Sequence, residues 1–167
     1  MSSSATELMK RLKYIEQEIN DIHHDDEEKS AVPAVETVEE KRTVLRPLYE
    51  GTYDFEENRS RIRELFVEER EIRRLLNRFN NETVVEGYDF TVAEGLVRIA
   101  ELKSEIKAIT NITRGGKYFT ERYSSSSVKM AAFDVKAARN VLREYQRELS
   151  ALQVAVDKTN LNSKIEY

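Results

Sequence analysis

Hydrophobic residues recur at alternating steps of four and three over four stretches of this chain, and each stretch reads as a long amphipathic helix. In the first, Leu8, Leu12, Ile15, Ile19 and Ile22 form the seam while Lys10, Lys13, Glu16 and Glu18 fall off it. The spacing predicts a helix that starts near Thr6 and frays into residues 23–28, because carboxylates at a helix C-terminus oppose the macrodipole. The second runs from about residue 56 to 80, with Ile62, Leu65, Ile72, Leu76 and Phe79 on one stripe and Phe66 and Leu75 widening it. Glu69 falls on that seam, which predicts either a polar contact or a break in the pairing. The third opens on Thr91-Val-Ala-Glu94, a capping box, continues through Leu96, Ile99, Leu102, Ile106 and Ile109, and closes at Gly115-Gly116. The fourth begins after Asp134 as N-cap and carries Val135, Ala138, Leu142, Tyr145, Leu149, Leu152 and Val156.

Residues 30–55 differ in kind. Val32-Pro-Ala-Val35, Thr43-Val-Leu-Arg-Pro-Leu-Tyr49 and Glu50-Gly51-Thr-Tyr53 are rich in β-branched and aromatic residues, which predicts a small β-hairpin or extended arm near Glu50-Gly51, with Pro47 confining it to an edge. An insertion of this kind is expected to contact another subunit. Residues 83–91 read as a second, shorter extended turn. The expected fold is mainly all-α: four long amphipathic helices in a bundle-like protomer, one helical domain over residues 1–167 with an extended insertion at about 28–55. The strict four-three spacing also suits seams between subunits, so a homo-oligomer is expected.

Composition narrows the function classes. Charged residues make up 35% and hydrophobic ones 40%, with five glycines, a balance that favours charge-covered helices over a strand-rich fold. A net charge of −4 argues against general nucleic-acid binding, which needs a basic surface to release counterions from phosphates. There is no cysteine, which excludes disulfides and thiol chemistry and points to a reducing, cytoplasmic setting. No basic, apolar leader pattern opens the sequence and no run reaches the roughly 18 apolar residues of a membrane span, so neither export nor membrane insertion is expected.

Candidate chemistry concentrates in Thr113-Arg-Gly-Gly-Lys-Tyr-Phe-Thr-Glu-Arg-Tyr-Ser-Ser-Ser-Ser127. Backbone N–H groups around Gly115-Gly116 can form an anion-binding nest, since glycine takes positive φ without strain. Arg114, Lys117 and Arg122 supply charge for phosphate oxygens, and Lys129 follows closely. Tyr118, Phe119 and Tyr123 offer flat faces for a base, and Ser124 and Ser126 offer hydroxyls within the serine run. The competing reading is a helix cap followed by an ordinary surface loop. Asn77, Arg78 and Asn80, at the end of the second helix, either cap carbonyls or recognise a ligand. Arg63, Arg70, Arg74 and Arg78 share a face with interleaved glutamates, which reads as a salt-bridged surface or a phosphate-reading stripe. His23 and His24 diverge on a helix and lack a second pair, so no metal site is expected. The sequence has no Gly-x-Ser-x-Gly elbow, Walker loop or His-Glu-x-x-His, and neither an enzyme nor a cofactor is expected.

Several phrases together support a family resemblance. Leu76-Asn-Arg-Phe-Asn80, then Thr83, Glu86-Gly87 and the Thr91 cap, resembles the Ile-Asn-Arg-Thr-Asn segment, acidic-Gly turn and capped helix of septicolysin-like proteins, small helical proteins of largely unknown function. Tyr123-Ser-x-Ser-x-Val-Lys129 and Asp134-Val135 are similar to that family's Tyr-Ser-Arg-Ser-Glu-Ile-Lys block and the Asp-Val opening of its last helix, and Asp157-Lys-Thr-Asn160 to its Gln-x-x-Asn-Trp close. The likeness covers most of the chain outside residues 28–55. Ser125 replaces the family's Arg, and Leu161 stands where Trp is usual. The recurrence of the Asn77–Asn80 phrase beside the serine block implies that the two belong to one site. The family's name suggests a cytolysin, which the absence of a membrane-inserting segment does not favour.

Two functional classes follow. The first is a non-catalytic homo-oligomer that binds a small anionic ligand, of nucleotide or ADP-ribose type, in an intersubunit pocket and sequesters it as viral anti-defence decoys do. The second is a structural or protein-interaction helical oligomer without a small ligand.

Overall fold

The structure, a computed structural model, describes residues 2–39, 42–114, 118–120 and 128–166. In chain order its elements are β1 (Ser2–Ser4), α1 (Ala5–Lys29), β2 (Ala34–Glu39), β3 (Arg42–Pro47), α2 (Phe55–Glu82), α3 (Val92–Thr113), β4 (Tyr118–Thr120), β5 (Val128–Met130), α4 (Val135–Asn162) and β6 (Lys164–Glu166). The protein is mainly α-helical, with a short antiparallel hairpin between α1 and α2. The chain forms two compact units, one of residues Thr6–Leu76 and one of Ser2–Ala5 with Asn77–Glu166.

In the first unit α1 and α2 run antiparallel, joined by charged rungs. Arg11 grips Glu68 through both Nε and Nη2 at 2.6 and 2.8 Å, Arg61 reaches Glu18 at 2.7 Å, and Arg73 spans Glu69 at 2.7 Å and Glu16 at 3.3 Å. The seam positions Leu8, Ile15, Ile19, Ile62, Leu65 and Ile72 are buried, as the four-three spacing requires. Glu69 makes a polar contact with Arg73 and leaves α2 unbroken. The forked hydrogen bond from Arg11 holds the Glu68 carboxyl below its usual pKa. A carboxylate whose pKa is depressed by folding contributes stability that is present at neutral pH and lost as pH falls through the folded-state value. Glu68→Gln should therefore flatten the fall of the urea midpoint between neutral and acid pH, relative to wild type.

The first helix continues to Lys29 instead of fraying over residues 23–28. Local dipole repulsion is outweighed by specific partners: Lys29 Nζ donates to Asp25 at 2.8 Å, one helical turn away. Asp26 accepts from the Tyr53 hydroxyl at 2.7 Å and from Asn58 Nδ2 at 3.0 Å, and it pairs with Arg59, whose guanidinium lies over the Phe55 ring. This cluster fastens the returning end of the β2–β3 arm. The arm closes further where Leu48 N–H donates to Pro33 O at 2.8 Å. At Gly51 a Cβ would stand 3.1 Å from a Val32 methyl, so the glycine serves a close approach at the arm's root. The hairpin itself therefore lies earlier than the Glu50-Gly51 expectation. Its six pairs run from Ala34–Pro47 to Glu39–Arg42, with Pro47 in the outermost pair.

In the second unit the end of α2 passes to α3 through residues 83–91, which fold as a tight extended turn. Val84 bridges Thr91, Val85 N–H donates to Phe90 O, and Gly87 takes φ 84°, a left-handed value natural to glycine. The rings of Tyr88 and Phe90 lie 4.9 Å apart. Thr91 caps α3 in a complete capping box with Glu94, whose carboxyl is held below its usual pKa by the Thr91 N–H and hydroxyl. Thr91→Ala should cost about 1 kcal/mol of stability, measured by urea unfolding, with Thr91→Ser close to neutral.

The helices α3 and α4 pack antiparallel around buried Ile99, Leu102, Leu152 and Val156. Gly95 sits at their close approach, where a Cβ would meet Phe90, Val85 and Val156 at 3.3–3.5 Å. Arg98 and Glu148 form an outer rung at 2.8 Å. Thr159, buried on α4, accepts from Glu86 N–H at 3.0 Å and donates to Ala155 O at 2.9 Å, so a polar side chain ties the α2–α3 turn to α4. The ladder of β1 with β6 buries Ile165 beside Ala5 and Ser4.

Candidate functional site

The connection between α3 and α4 holds the chemistry singled out in the sequence. The third helix ends at Thr113, whose hydroxyl donates to Ile109 O at 2.7 Å, and exposed Arg114 follows as C-cap. Arg139, in the early turns of α4, donates from Nη2 to Thr113 O at 3.4 Å and so satisfies a carbonyl left open at the helix end. Strands β4 and β5 pair with Tyr118 opposite Met130, Phe119 opposite Lys129 and Thr120 opposite Val128. The fourth helix then starts on Asp134, whose Oδ1 accepts from the N–H groups of Lys136 at 2.8 Å and Ala137 at 3.1 Å.

Of the candidate ligand residues, Lys117, Arg122, Tyr123, Ser124 and Ser126, with the Gly115-Gly116 pair, lie outside the described residues. Tyr118 and Lys129 are placed by backbone register, in adjacent pairs of one ladder. Four cations, Arg114, Lys117, Arg122 and Lys129, fall in residues 114–129 against one carboxylate, Glu121; four minus one leaves +3 in a chain of net charge −4.

Asn77, Arg78 and Asn80 lie in the last two turns of α2, with Asn77 and Arg78 exposed and Asn80 half-buried. Part of their surroundings is capping: Asn81 Nδ2 donates to Asn77 O at 2.7 Å, and Thr83 N–H to Phe79 O at 2.9 Å. The turn of residues 83–91 leads directly from this cluster to the start of α3, whereas Arg114 stands at its far end. The 22 residues of α3 span about 33 Å, so Arg114 stands about that far from the start of α3, which the turn after Asn77, Arg78 and Asn80 leads into. Of the arginine stripe on α2, Arg74 pairs with Glu71 at 2.5 Å, while Arg63, Arg70 and Arg78 are exposed and without an ion pair among the described residues.

An open cleft of about 510 Å³ lies in the first unit, lined by Glu18, Ile22, Glu57, Asn58, Ser60, Arg61 and Glu64. Its one cation already binds Glu18 and Glu64, so three carboxylates set its sign and repel an anionic ligand. Three residues with structural parts at these places carry little sequence signal: Asp26 lies within a run of acids, Arg139 among the charges of α4, and Thr159 in a phrase marked only by resemblance.

No family model and no curated protein matches the chain. Its fold is similar to that of a functionally unknown conserved protein from Corynebacterium diphtheriae seen in a crystal structure, with a TM-score of 0.71 and 16% identity over 99% of this chain and 100% of that one. A likeness at this level of identity is a likeness of fold. No helix among the described residues is long and apolar enough to cross a membrane.

Proposed function

We propose that the protein is a non-catalytic, self-associating binder of a small phosphate-bearing anion, of nucleotide or ADP-ribose type, held at the α3–α4 hairpin and sequestered there. The observation that carries this reading is the reversal of charge at that hairpin, +3 over residues 114–129 of a chain that is −4 overall. Guanidinium and ammonium groups there supply charge-assisted hydrogen bonds to phosphate oxygens, and the aromatic residues of the same segment supply stacking surface. Sequestration requires tight binding without turnover, which fits a segment that has cations, hydroxyls and rings but no histidine or thiol. If Asn77, Arg78 and Asn80 contribute to the same pocket, either the residues after Arg114 reach back along α3 or a second copy supplies the cluster, and the intersubunit arrangement is the one proposed.

Calorimetric titration of wild type with ADP, cyclic AMP and ADP-ribose tests the reading. Saturable heat with at least one of them, weakening as salt rises, supports it. Absence of heat with all three at high protein concentration leaves the helical interaction protein as the better description, a reading favoured by the exposed apolar residues of the β2–β3 arm.

A further inference from the structure

The α3–α4 hairpin sorts its charges onto two edges of its seam. On α3 the seam runs through Gly95, Ile99, Leu102, Ile106 and Ile109, and on α4 through Val135, Ala138, Leu142, Tyr145 and Leu149. The residue just before a seam position carries the acids: Glu94, Glu101 and Glu105 on α3, Glu144 and Glu148 on α4. The residue just after one carries the cations: Lys103 and Lys107 on α3, Lys136, Arg139 and Arg143 on α4, with Arg114 following Thr113 in the same way. Helical geometry puts the two sets on opposite sides of the seam, and the Arg98–Glu148 pair shows that the before-seam edges of both helices meet on one side.

The other edge is basic on both helices. All six of its cations are exposed and none has an ion pair among the described residues; Arg139 alone is engaged, with the Thr113 carbonyl. Asp157, toward the far end of α4, is the one carboxylate in either row. Gly95 lies against Val156 and Thr113 against Arg139, so Lys107 stands level with about residue 144 and Arg114 with about residue 137. Cation therefore stands across the seam from cation, Lys107 with Arg143 and Arg114 with Lys136, along a strip that runs about 16 Å from Lys103 to Arg114.

Flanks of a helical seam ordinarily pair opposite charges, as Arg98 and Glu148 do; like charges there repel and call for an anion from outside. The acidic edge of a second copy is a poor match. Its Glu101 and Glu148 are held by Arg98 and its Glu94 by the Thr91 cap, which leaves Glu105 and Glu144 for six cations. Neither row of the basic edge contains an aromatic residue, so it reads charge and not a base.

We propose that this edge binds a linear oligophosphate, its phosphates lying in succession between the cations of α3 and those of α4. Three levels of cation, at Lys103, at Lys107 with Arg143 and at Arg114 with Lys136, suit a run of three phosphates better than one. The assignment rests on the phosphate reading of the proposed function and deepens it, since the chain is either inorganic or the tail of a nucleotide.

Calorimetric titration of the full-length protein with orthophosphate, pyrophosphate, tripolyphosphate, ADP and ATP tests it. Affinity should rise about ten-fold or more from pyrophosphate to tripolyphosphate, and the rise should shrink as salt increases. Lys107→Gln/Arg143→Gln should abolish that rise and raise the melting temperature of the ligand-free protein, because a repulsive pair is removed. Arg147→Gln/Lys158→Gln makes the same change of net charge away from this edge and should bind tripolyphosphate within about two-fold of wild type. A matching rise from ADP to ATP identifies a nucleotide tail as ligand, and a rise confined to the inorganic series identifies the free chain. Equal affinity for pyrophosphate and tripolyphosphate, or equal losses in the two variants, overturns the oligophosphate strip alone if ADP still binds. Tripolyphosphate binding without heat from ADP, cyclic AMP or ADP-ribose overturns the nucleotide reading and keeps the strip. No binding of any of these anions overturns both.

Discussion

Leu102→Ala is expected to lower the unfolding free energy by about 2–5 kcal/mol, the largest single-residue loss of stability expected in the second unit. Leu102 is 1% exposed and stands on α3 between the close approach at Gly95 and the Thr113 end, with Leu152 and Val156 buried on the antiparallel α4. The substitution removes the apolar surface of the isobutyl group and leaves a cavity, because two helices held by Gly95 packing, the Arg98–Glu148 rung and the Thr159 hydrogen bonds cannot close freely over it. Urea unfolding followed by far-ultraviolet dichroism measures the loss. A value below about 1 kcal/mol would show that the α3–α4 contact contributes less than its burial implies.

Arg114→Ala/Arg122→Ala is expected to weaken nucleotide binding about 100-fold or more, if each guanidinium makes a charge-assisted hydrogen bond to phosphate, while leaving the melting temperature near that of wild type. Arg114 is exposed beyond the last turn of α3 and has no ion-pair partner among the described residues, so its truncation removes little packing. The pair of substitutions also takes the 114–129 segment from +3 to +1. A conservative comparison with Arg114→Lys/Arg122→Lys separates charge from geometry: partial recovery means that charge concentration matters, and none means that forked hydrogen bonds do. Unchanged affinity in the alanine variant would move the ligand away from this hairpin.

Much of the helical framework was legible because its signals are local. The four-three seams, the Thr91–Glu94 capping box and the Asp134 cap each depend on residues within a few positions of one another; both caps recur in the structure, and the seams recur in part, with Leu96 and Phe66 exposed and the α4 seam half-buried from Val135 to Leu149. The end of α1 was not legible for the opposite reason. Its acidic run reads as a stop until Asp26 meets Tyr53, Asn58 and Arg59 from far along the chain. Gly51 misled in a similar way: a glycine among β-branched residues signals a hairpin turn, whereas here its missing Cβ makes room for Val32 at the root of the arm. Thr159 sits near the end of a heptad face, and nothing in that pattern announces that its hydroxyl will receive the Glu86 N–H.

The candidate site divides along the same line. Composition alone marks residues 113–127 as unusual, and the structure adds the β4–β5 ladder and the Arg139 contact that tie their surroundings to the helix ends. Composition could not place Asn77, Arg78 and Asn80 relative to Arg114; the length of α3 puts about 33 Å between its start, which follows that cluster, and its Arg114 end. Arg63 and Arg70, without an ion pair among the described residues, are a comparable case. Interleaved glutamates suggest that every arginine of α2 has a partner, but Glu64, Glu68, Glu69 and Glu71 are drawn to Arg61, Arg11, Arg73 and Arg74 respectively.

The central claim, binding without turnover at the α3–α4 hairpin, is tested most directly by incubating the protein with ADP-ribose, ADP and cyclic AMP, removing free ligand, denaturing the complex and analysing what is released by chromatography. At least one of the three should be recovered chemically unaltered and in stoichiometric amount from wild type, and none from Arg114→Ala/Arg122→Ala. Release of a cleaved product, retention of nothing by wild type, or equal retention by the variant would contradict the account.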